Sequence, residues 1–482
     1  QLSIMICLQN VIQIRIIHSS DTHGWLFGNP HNNTLDATFG DILSFIKEQK
    51  KQQPTIVLDS GDFISGSGLS DASKNSGEFV YDAWKESFQH DYYDYVTIGN
   101  HDVSDADAVK QMLKMLDDPK ARNHTLSYNT FQKGALSLRY TLRDFHGQKL
   151  LITGVIFQMK AAQPLEIIPF LEQLRDDQQF SSAVRQSSIS LIMVHFGLNK
   201  NKNDYESVLK LIRSISVQPV IIMGGHEHLQ QFEHLPADNA VFMASENYFK
   251  TISVLDFDVL NGKLENVKLK LIPGNKHELL KEAKLEHFND PVADKIQETI
   301  MQKVDKLELL KVIGQSPKDY KVAHTIEKED ALYRLWAYEV VPKTLFKLNE
   351  SGKLVNKPIT IIGTAFFNSD IVKGDFLLND LYMTAPYKNE FFFSYPKVSG
   401  KDLKQILQEL NRPKKEGHPK FYMTDFEDES MAYSVVITDY DSIGFERAAK
   451  ALGVELVKND GLLSGLSPFQ IFDMFVKENW KQ

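Results

Sequence analysis

Five clusters in the first half of the chain carry groups able to hold metal ions: Asp21-Thr22-His23, Asp59-Ser60-Gly61-Asp62, Gly99-Asn100-His101-Asp102, His195, and Gly224-Gly225-His226-Glu227-His228. Carboxylate, imidazole and amide oxygen are hard or borderline ligands for divalent cations. Singly, each cluster says little, because a lone histidine after a strand is ordinarily a hydrogen-bonded structural residue and Gly-Asp is a common turn. Together, Asp21, His23, Asp62, Asn100, His195, His226 and His228 suffice for two divalent ions that share one carboxylate.

Each cluster follows a short apolar run that reads as a buried strand: Val11 to Ile17, Thr55 to Leu58, Tyr95 to Ile98, Ser188 to Val194 and Val220 to Met223, with Leu150 to Ile156 as a further member. Helical spacing separates these runs, as in Ile42, Phe45 and Ile46 after Gly40-Asp41, or Val208, Leu211 and Ile212 after Asp204. Alternation of this kind predicts an α/β domain, whose open sheets bind ligands at strand ends. From about Val241 to Ile272 the chain turns β-rich, with strands expected at Ser253 to Val259 and Leu264 to Ile272, and Pro273-Gly274 closes that stretch. Ile296, Ile300, Val304 and Leu307 then mark a helix with one apolar stripe. The expected organisation is a catalytic domain over 11–275, a helical linker over 276–310 and a second α/β domain over 311–482, with strands near Ile359 to Ile362, Glu390 to Tyr395 and Ser434 to Ile437.

At 482 residues the chain is too long for one ordinary core, and its 54 basic against 63 acidic residues leave a net charge of -9. An acidic balance without a basic run argues against long nucleic acid as a partner, since that binding is driven by Lys and Arg. No apolar run approaches the roughly 20 residues that span a bilayer, so no transmembrane segment is expected. The single cysteine, Cys7, cannot close an intrachain disulfide. The start at Gln1 reads as though a leader had been removed, and Asn-x-Ser/Thr acceptors stand at Asn32, Asn123 and Asn349. Both features suit the secretory route, with vacuole, cell surface or exterior as destinations.

The five clusters, in order, resemble the calcineurin-like metallophosphoesterases, whose pattern is Asp-x-His, Gly-Asp, Gly-Asn-His-Asp/Glu, His and Gly-His-x-His. The resemblance implies a four-layer α/β/β/α sandwich and a dinuclear site. One ion would take Asp21, His23, Asp62 and His228, and the other Asp62, Asn100, His195 and His226. His18 and Gly24 match a His-x-x-Asp-x-His-Gly variant, His18 reading as a buried residue that orients a ligand. Two such cations, about 3.5 to 4 Å apart, bring the pKa of a shared water towards roughly 7 and neutralise phosphate oxygens that would repel the bridging hydroxide. The residue placed to protonate the leaving alkoxide is His101. The ion identities stay open among Zn, Mn, Fe and Co. Purple acid phosphatases need a Tyr three residues after the bridging Asp, and Ser65 stands there instead.

The second half resembles the substrate domain of the 5'-nucleotidase family, around Lys373-Gly374-Asp375, Ala385-Pro386-Tyr387-Lys388-Asn389 and Val398-Ser399-Gly400-Lys401-Asp402-Leu403, and is closest to fungal members. By that resemblance Tyr387 would stack on a nucleobase and Asn389 would bond its edge, with Tyr440 or Phe445 as partner aromatics, although either of these equally suits core or surface. Two departures stand out. The family pairs its acid histidine with an Asp three residues on, where this chain has Ser104; Asp105 would orient His101 after a one-residue adjustment, or else cap a helix starting near Ala106. The family's Gly-Gly-Ile-Arg block reads Ala365-Phe366-Phe367-Asn368 here, and an Asn cannot supply a guanidinium's charged fork.

The expected function is release of phosphate from a nucleoside 5'-monophosphate or similar small phosphate ester by a two-metal hydrolase. The alternatives are a phosphodiesterase on small nucleotides, and a metal-binding module with little turnover.

Overall fold

The computed structural model describes residues 13–32, 34–196, 205–348, 358–385, 391–412, 420–459 and 465–481. They form two compact units: one runs to Ser65 and resumes over Ala72–Lys303, and the other joins Gly66–Asp71 to the chain from Val304 onward. Among the described residues no helix is long and apolar enough to cross a membrane.

The first unit contains two sheets. One has the strand order Lys263–Pro273, Thr251–Leu260, Gln13–Ser19, Thr55–Asp59 and Tyr95–Val96; the other runs Gln231–Leu235, Ala240–Ala244, Val220–Gly224, Ile189–His195, Gln148–Ile156 and Tyr140–Phe145. Strand alternation decides what lies between them. Ile14, Ile16, Ile56 and Leu58 of the first sheet pack with Leu150, Ile152, Leu191, Met193, Ile221 and Met223 of the second in one core cluster. The residues that alternate with these on the second sheet, such as Leu151, Ile192, Val194 and Ile222, pack instead against helices through Phe170, Phe180, Val184, Val208 and Ile212. On the outer side of the first sheet lie Phe39–Gln52 and Glu78–Gln89, where Trp84 meets Phe39 and Phe63. The result is the four-layer α/β/β/α sandwich. Helix Phe39–Gln52 starts where it does because Thr38 and Asp41 form a capping box.

Parallel pairing brings the chemistry to one edge. Gln13–Ser19 runs parallel to Thr55–Asp59, with Ser19 opposite Asp59, and Thr55–Asp59 runs parallel to Tyr95–Val96. In the other sheet Gln148–Ile156, Ile189–His195 and Val220–Gly224 are likewise parallel. All five clusters therefore leave the sheets at carboxyl ends of strands. The strand expected at Tyr95 to Ile98 stops at Val96, because the chain then turns into the site. Within the 276–310 stretch, Pro291–Lys306 buries Ala293, Ile296 and Ile300, and Gln297 Oε1 accepts the Gly40 N–H at 3.0 Å.

The second unit is built on a four-stranded sheet of order Phe392–Ser399, Ala432–Thr438, Ile359–Gly363 and Phe421–Met423. One face packs Ile362 and Val436 on Trp336, Phe366, Phe367 and Phe472; the other packs Ile361, Val435 and Ile437 on Leu403, Ile406 and Phe445. Phe445 is fully buried there, its ring 5.2 Å from that of Tyr395. Its expected role in base stacking is thus corrected: helix Asp439–Ala451 turns this position inward, and packing occupies the ring.

Candidate metal centre

Five of the seven expected ligands sit in left-handed backbone: Asp21 at φ 53, His23 at 49, Asp62 at 62, His226 at 79 and His228 at 58. Such a conformation costs an L-residue about 1 to 2 kcal/mol, so its clustering here is strain held by the surrounding fold at one place. The turns are tied to one another. Asp21 N–H donates to Gly61 O at 2.8 Å and His23 N–H to Asp62 O at 3.0 Å. His101 N–H donates to Asp62 Oδ1 at 2.8 Å, and His226 N–H to Asp21 Oδ1 at 3.0 Å. Gly99 allows the close approach, since a Cβ there would fall 2.0 Å from Asp62 Oδ1.

The side-chain donors converge as ligand sets. Asp21, His23 and His228 bring their ligand atoms within 4.8 Å of one another, as do Asp62, His195 and His226, and also His23, Asp62 and His101. Asn100 Oδ1 lies 3.1 Å from His195 Nε2 and 2.8 Å from His226 Nδ1. In the other group His228 Nε2 is 3.4 Å from Asp21 Oδ1 and 3.0 Å from His23 Nε2. Ligands bound at about 2.0 to 2.2 Å lie roughly 3 to 3.5 Å from their neighbours around one ion, so these spacings fit.

Tautomers supply the independent test. His23 Nδ1 lies 2.8 Å from the Ile64 carbonyl oxygen, and His195 Nδ1 lies 2.6 Å from that of Ser60. A carbonyl only accepts, so both Nδ1 atoms carry hydrogen and both Nε2 atoms face inward as bases. One of them faces another acceptor: His195 Nε2 is 3.1 Å from Asp62 Oδ2. Acceptors so opposed need a positive charge between them, either a proton or a metal ion. Burial lowers the pKa of His23 to about 3 and that of His226 to about 4, which keeps both rings neutral. Burial works against protonation of His195 too, but the Asp62 carboxylate overrides it and carries His195 up to about 10. Burial likewise opposes charge on Asp62, yet His195 and then His101 hold it well below the usual carboxylate range. A divalent ion held by these groups would take over the work of that proton, since metal binding releases protons at such sites.

His101 is half-buried, its ring edge-on to His23 at 5.1 Å. Among the described residues no hydrogen bond is made to that ring. Asp105 does not orient it: its carboxylate accepts from Asp107 N at 2.9 Å and Ala108 N at 3.1 Å, so it caps helix Ala106–Leu116. His18 is buried between Ser245 Oγ and Ser60 Oγ, each 2.8 Å away, and Ser60 is the residue whose carbonyl orients His195. Tyr440 is exposed at the start of helix Asp439–Ala451. Tyr387 and Asn389 lie outside the described residues. Asn368 follows the buried Phe366 and Phe367.

Residues not foreseen as site residues also belong to this centre. The Asp102 carboxylate takes the backbone N–H of Asp62, Phe63 and Gly99 and the hydroxyl of Tyr81. Asn247 Nδ2 lies 3.0 Å from His228 Nδ1, and Tyr248 stacks on Trp25 at 4.5 Å while its ring stands 5.4 Å from that of His23. Asp102 was visible as part of Gly-Asn-His-Asp, whereas Asn247 and Tyr248 have no ligand-like spacing.

Fold and site together define a metal-dependent phosphoester hydrolase. Residues 14–230 match the family model of the calcineurin-like phosphoesterases, and residues 320–450 match that of the C-terminal domain of NAD nucleotidase. The chain is thus similar to calcineurin-like phosphoesterases over its first unit and to NAD nucleotidase over much of its second. It is similar to an uncharacterised protein of Saccharomyces cerevisiae, 26% identical over 412 residues that cover 79% of this chain and 67% of the relative. A protein of Arthroderma benhamiae named only as a secreted protein is 22% identical over 459 residues, 83% of this chain and 67% of that one. The fold is shared with the 5'-nucleotidase of Candida albicans at a TM-score of 0.83 and 19% identity, over 96% of this chain and 98% of that chain.

Proposed function

We propose that the chain removes phosphate from a nucleoside 5'-monophosphate or a similar small phosphate monoester. The observation that carries this reading is the convergence of inward-facing ring nitrogens on acceptor oxygens around Asp62. Asp21, His23, Asp62 and His228 would hold one divalent ion, and Asp62, Asn100, His195 and His226 a second, with Asp62 common to both. When bound, such a pair supplies an acidified water and neutralises phosphoryl charge.

The protein's own groups do the rest. The Ile64 and Ser60 carbonyls fix the rings of His23 and His195, so both bind through Nε2 without a rotamer search. His101 is tied through its backbone to Asp62, which keeps its imidazole at the edge of the centre, where it donates a proton to the departing alkoxide. Substrate selection falls to the second unit, where Tyr440 offers an exposed ring and Tyr387 and Asn389 are the further candidates. The nucleotide-directed names of the matching family model and of the Candida albicans enzyme support the substrate class. The relative named as secreted, with the acceptors at Asn32, Asn123 and Asn349, supports the secretory route.

Phosphate release should be measured from AMP, p-nitrophenyl phosphate and a phosphodiester, using the full chain stripped of metal and then reloaded with Mn. Hydrolysis that returns only with metal and is fastest on AMP is the expected result. Activity that survives exhaustive chelation rejects the metal centre, and a preference for the diester rejects the substrate class.

A further inference from the structure

We propose that Asn247 is a positioning residue that selects the metal-binding tautomer of His228, through an amide that reverses its orientation when the ion is present. This rests on the ligand assignment given under Proposed function.

Asn247 is 4% exposed, and its Oδ1 is buried with no hydrogen-bond partner among the described residues, while its Nδ2 lies 3.0 Å from His228 Nδ1. In that orientation the amide donates, so Nδ1 is the base and the ring hydrogen of a neutral His228 sits on Nε2. This places the hydrogen between His228 Nε2 and its neighbours, His23 Nε2 at 3.0 Å and Asp21 Oδ1 at 3.4 Å. Such a ring cannot bind an ion through Nε2. A half-turn of the amide about its last torsion leaves its atoms in the same space and exchanges donor for acceptor. Oδ1 then accepts from Nδ1–H, the NH2 takes the place the oxygen had, and the Nε2 lone pair is free for the ion. One buried amide group lacks a partner in either orientation, so the ring decides: with a cation on Nε2 the hydrogen sits on Nδ1, two donors would face each other in the first orientation at a cost of about 1 to 3 kcal/mol, and the reversed orientation is favoured.

The backbone around Asn247 is built to hold it there. Tyr248 and Phe249 are both left-handed, at φ 58 and 52, a conformation bulky residues adopt only when packing imposes it. Tyr248 N–H donates to the Asp21 carbonyl at 2.9 Å, and Lys250 N–H returns to Asn247 O at 3.0 Å. The Tyr248 ring packs between Trp25, at 4.5 Å, and the two imidazoles of His23 and His228, at 5.4 and 5.8 Å. One strained turn thus touches the backbone or side chain of Asp21, His23 and His228, the three ligands of the first ion that are not shared with the second.

Asn247→Asp and Asn247→Ala in the full chain, stripped of metal and titrated calorimetrically with Mn, test the proposal. Asp keeps the acceptor and cannot donate. The expected result is that the unaltered chain and Asn247→Asp both bind two ions with similar affinity, whereas Asn247→Ala binds one of its two ions 10- to 100-fold more weakly. Should Asn247→Ala fail to fold, Asn247→Asp decides alone, because a residue that serves by donating its amide hydrogen would lose the ion in that variant. Weakened binding in Asn247→Asp, or unchanged binding in Asn247→Ala, overturns the tautomer role while leaving the ligand assignment standing. Failure of the unaltered chain to bind two ions overturns both.

Discussion

Asp102 accepts the backbone N–H of Asp62 at 3.0 Å, so one buried carboxylate holds in place the main chain of another. Each Asp102 oxygen takes two donors: Oδ2 those of Asp62 and Gly99, and Oδ1 those of Phe63 and Tyr81. The two loops that present Asp62 and Asn100 are therefore clasped by a single side chain. Asp102→Asn keeps the shape but turns an NH2 towards donors at one end. Its expected cost is about 2 to 4 kcal/mol of stability from the groups left unpaired, together with roughly 10- to 100-fold weaker metal binding. Urea denaturation and a metal titration measure the two effects. A variant indistinguishable from the parent in both would mean that the loops are held by something else.

Asp62 is the ligand assigned to both ions, and its Oδ2 lies 3.1 Å from His195 Nε2 and 3.9 Å from His23 Nε2, one histidine from each set. Asn has a single acceptor oxygen and no charge. Asp62→Asn should therefore lose both ions, and elemental analysis of the folded, dialysed variant reads this directly. Two metals per chain retained in Asp62→Asn would show that the sharing was misassigned.

Asp105 and His101 make opposite predictions. Loss of the helix cap in Asp105→Ala should cost about 1 kcal/mol of stability and leave the pH dependence of turnover as it was. His101→Gln should leave metal stoichiometry at the parent value and lower kcat by roughly 10²- to 10⁴-fold, the usual worth of a placed proton donor. A pH profile displaced in the same way by both variants would instead return Asp105 to a role acting through His101.

The five clusters stand out in the sequence because each comes at or just after the end of a largely apolar run, as His195 stands after Leu191 to Val194. Parallel pairing then leaves the clusters no other place than one edge. The α/β class was legible for the same reason, in the near-continuous apolar runs of strands covered on both faces, whereas the four-layer sandwich was implied only by the family resemblance. Asp105 was not decidable at that level, since an Asp one residue out of register with a pattern and an Asp that caps a helix look alike until the helix start is known. Phe445 shows the reverse case. Its spacing with Ser442, Ala448 and Ala449 marks an inward stripe of one helix, a periodic signal outweighed by attention to aromatic type. Tyr248 could not be found at all, because its role comes from left-handed backbone and a bond to Asp21, some two hundred positions away, and Asn247 could not because nothing in the sequence shows that the turn before it brings its amide to His228.

In the second unit Asp441 couples stability to pH. It lies buried in the first turn of helix Asp439–Ala451, where its Oδ2 accepts the Gly363 N–H at 2.8 Å. Burial pushes its carboxyl from the ordinary 3.8 up to about 6, against the pull of the Gly363 N–H. The unfolded chain releases this proton near pH 3.8 while the folded chain keeps it to about pH 6, so between those values the folded state binds more protons. Its contribution is thus whole below the lower value and declines as pH rises to the upper one, by about 3 kcal/mol in all. Asp441→Asn can still accept from Gly363 N–H and has no proton to lose. Relative to the parent, the variant should therefore gain about 3 kcal/mol as pH is raised from 4 to 7, read from urea midpoints of the full chain at several pH values. A stability difference that stays constant across that range would show that the buried carboxyl titrates alike in the folded and unfolded chain.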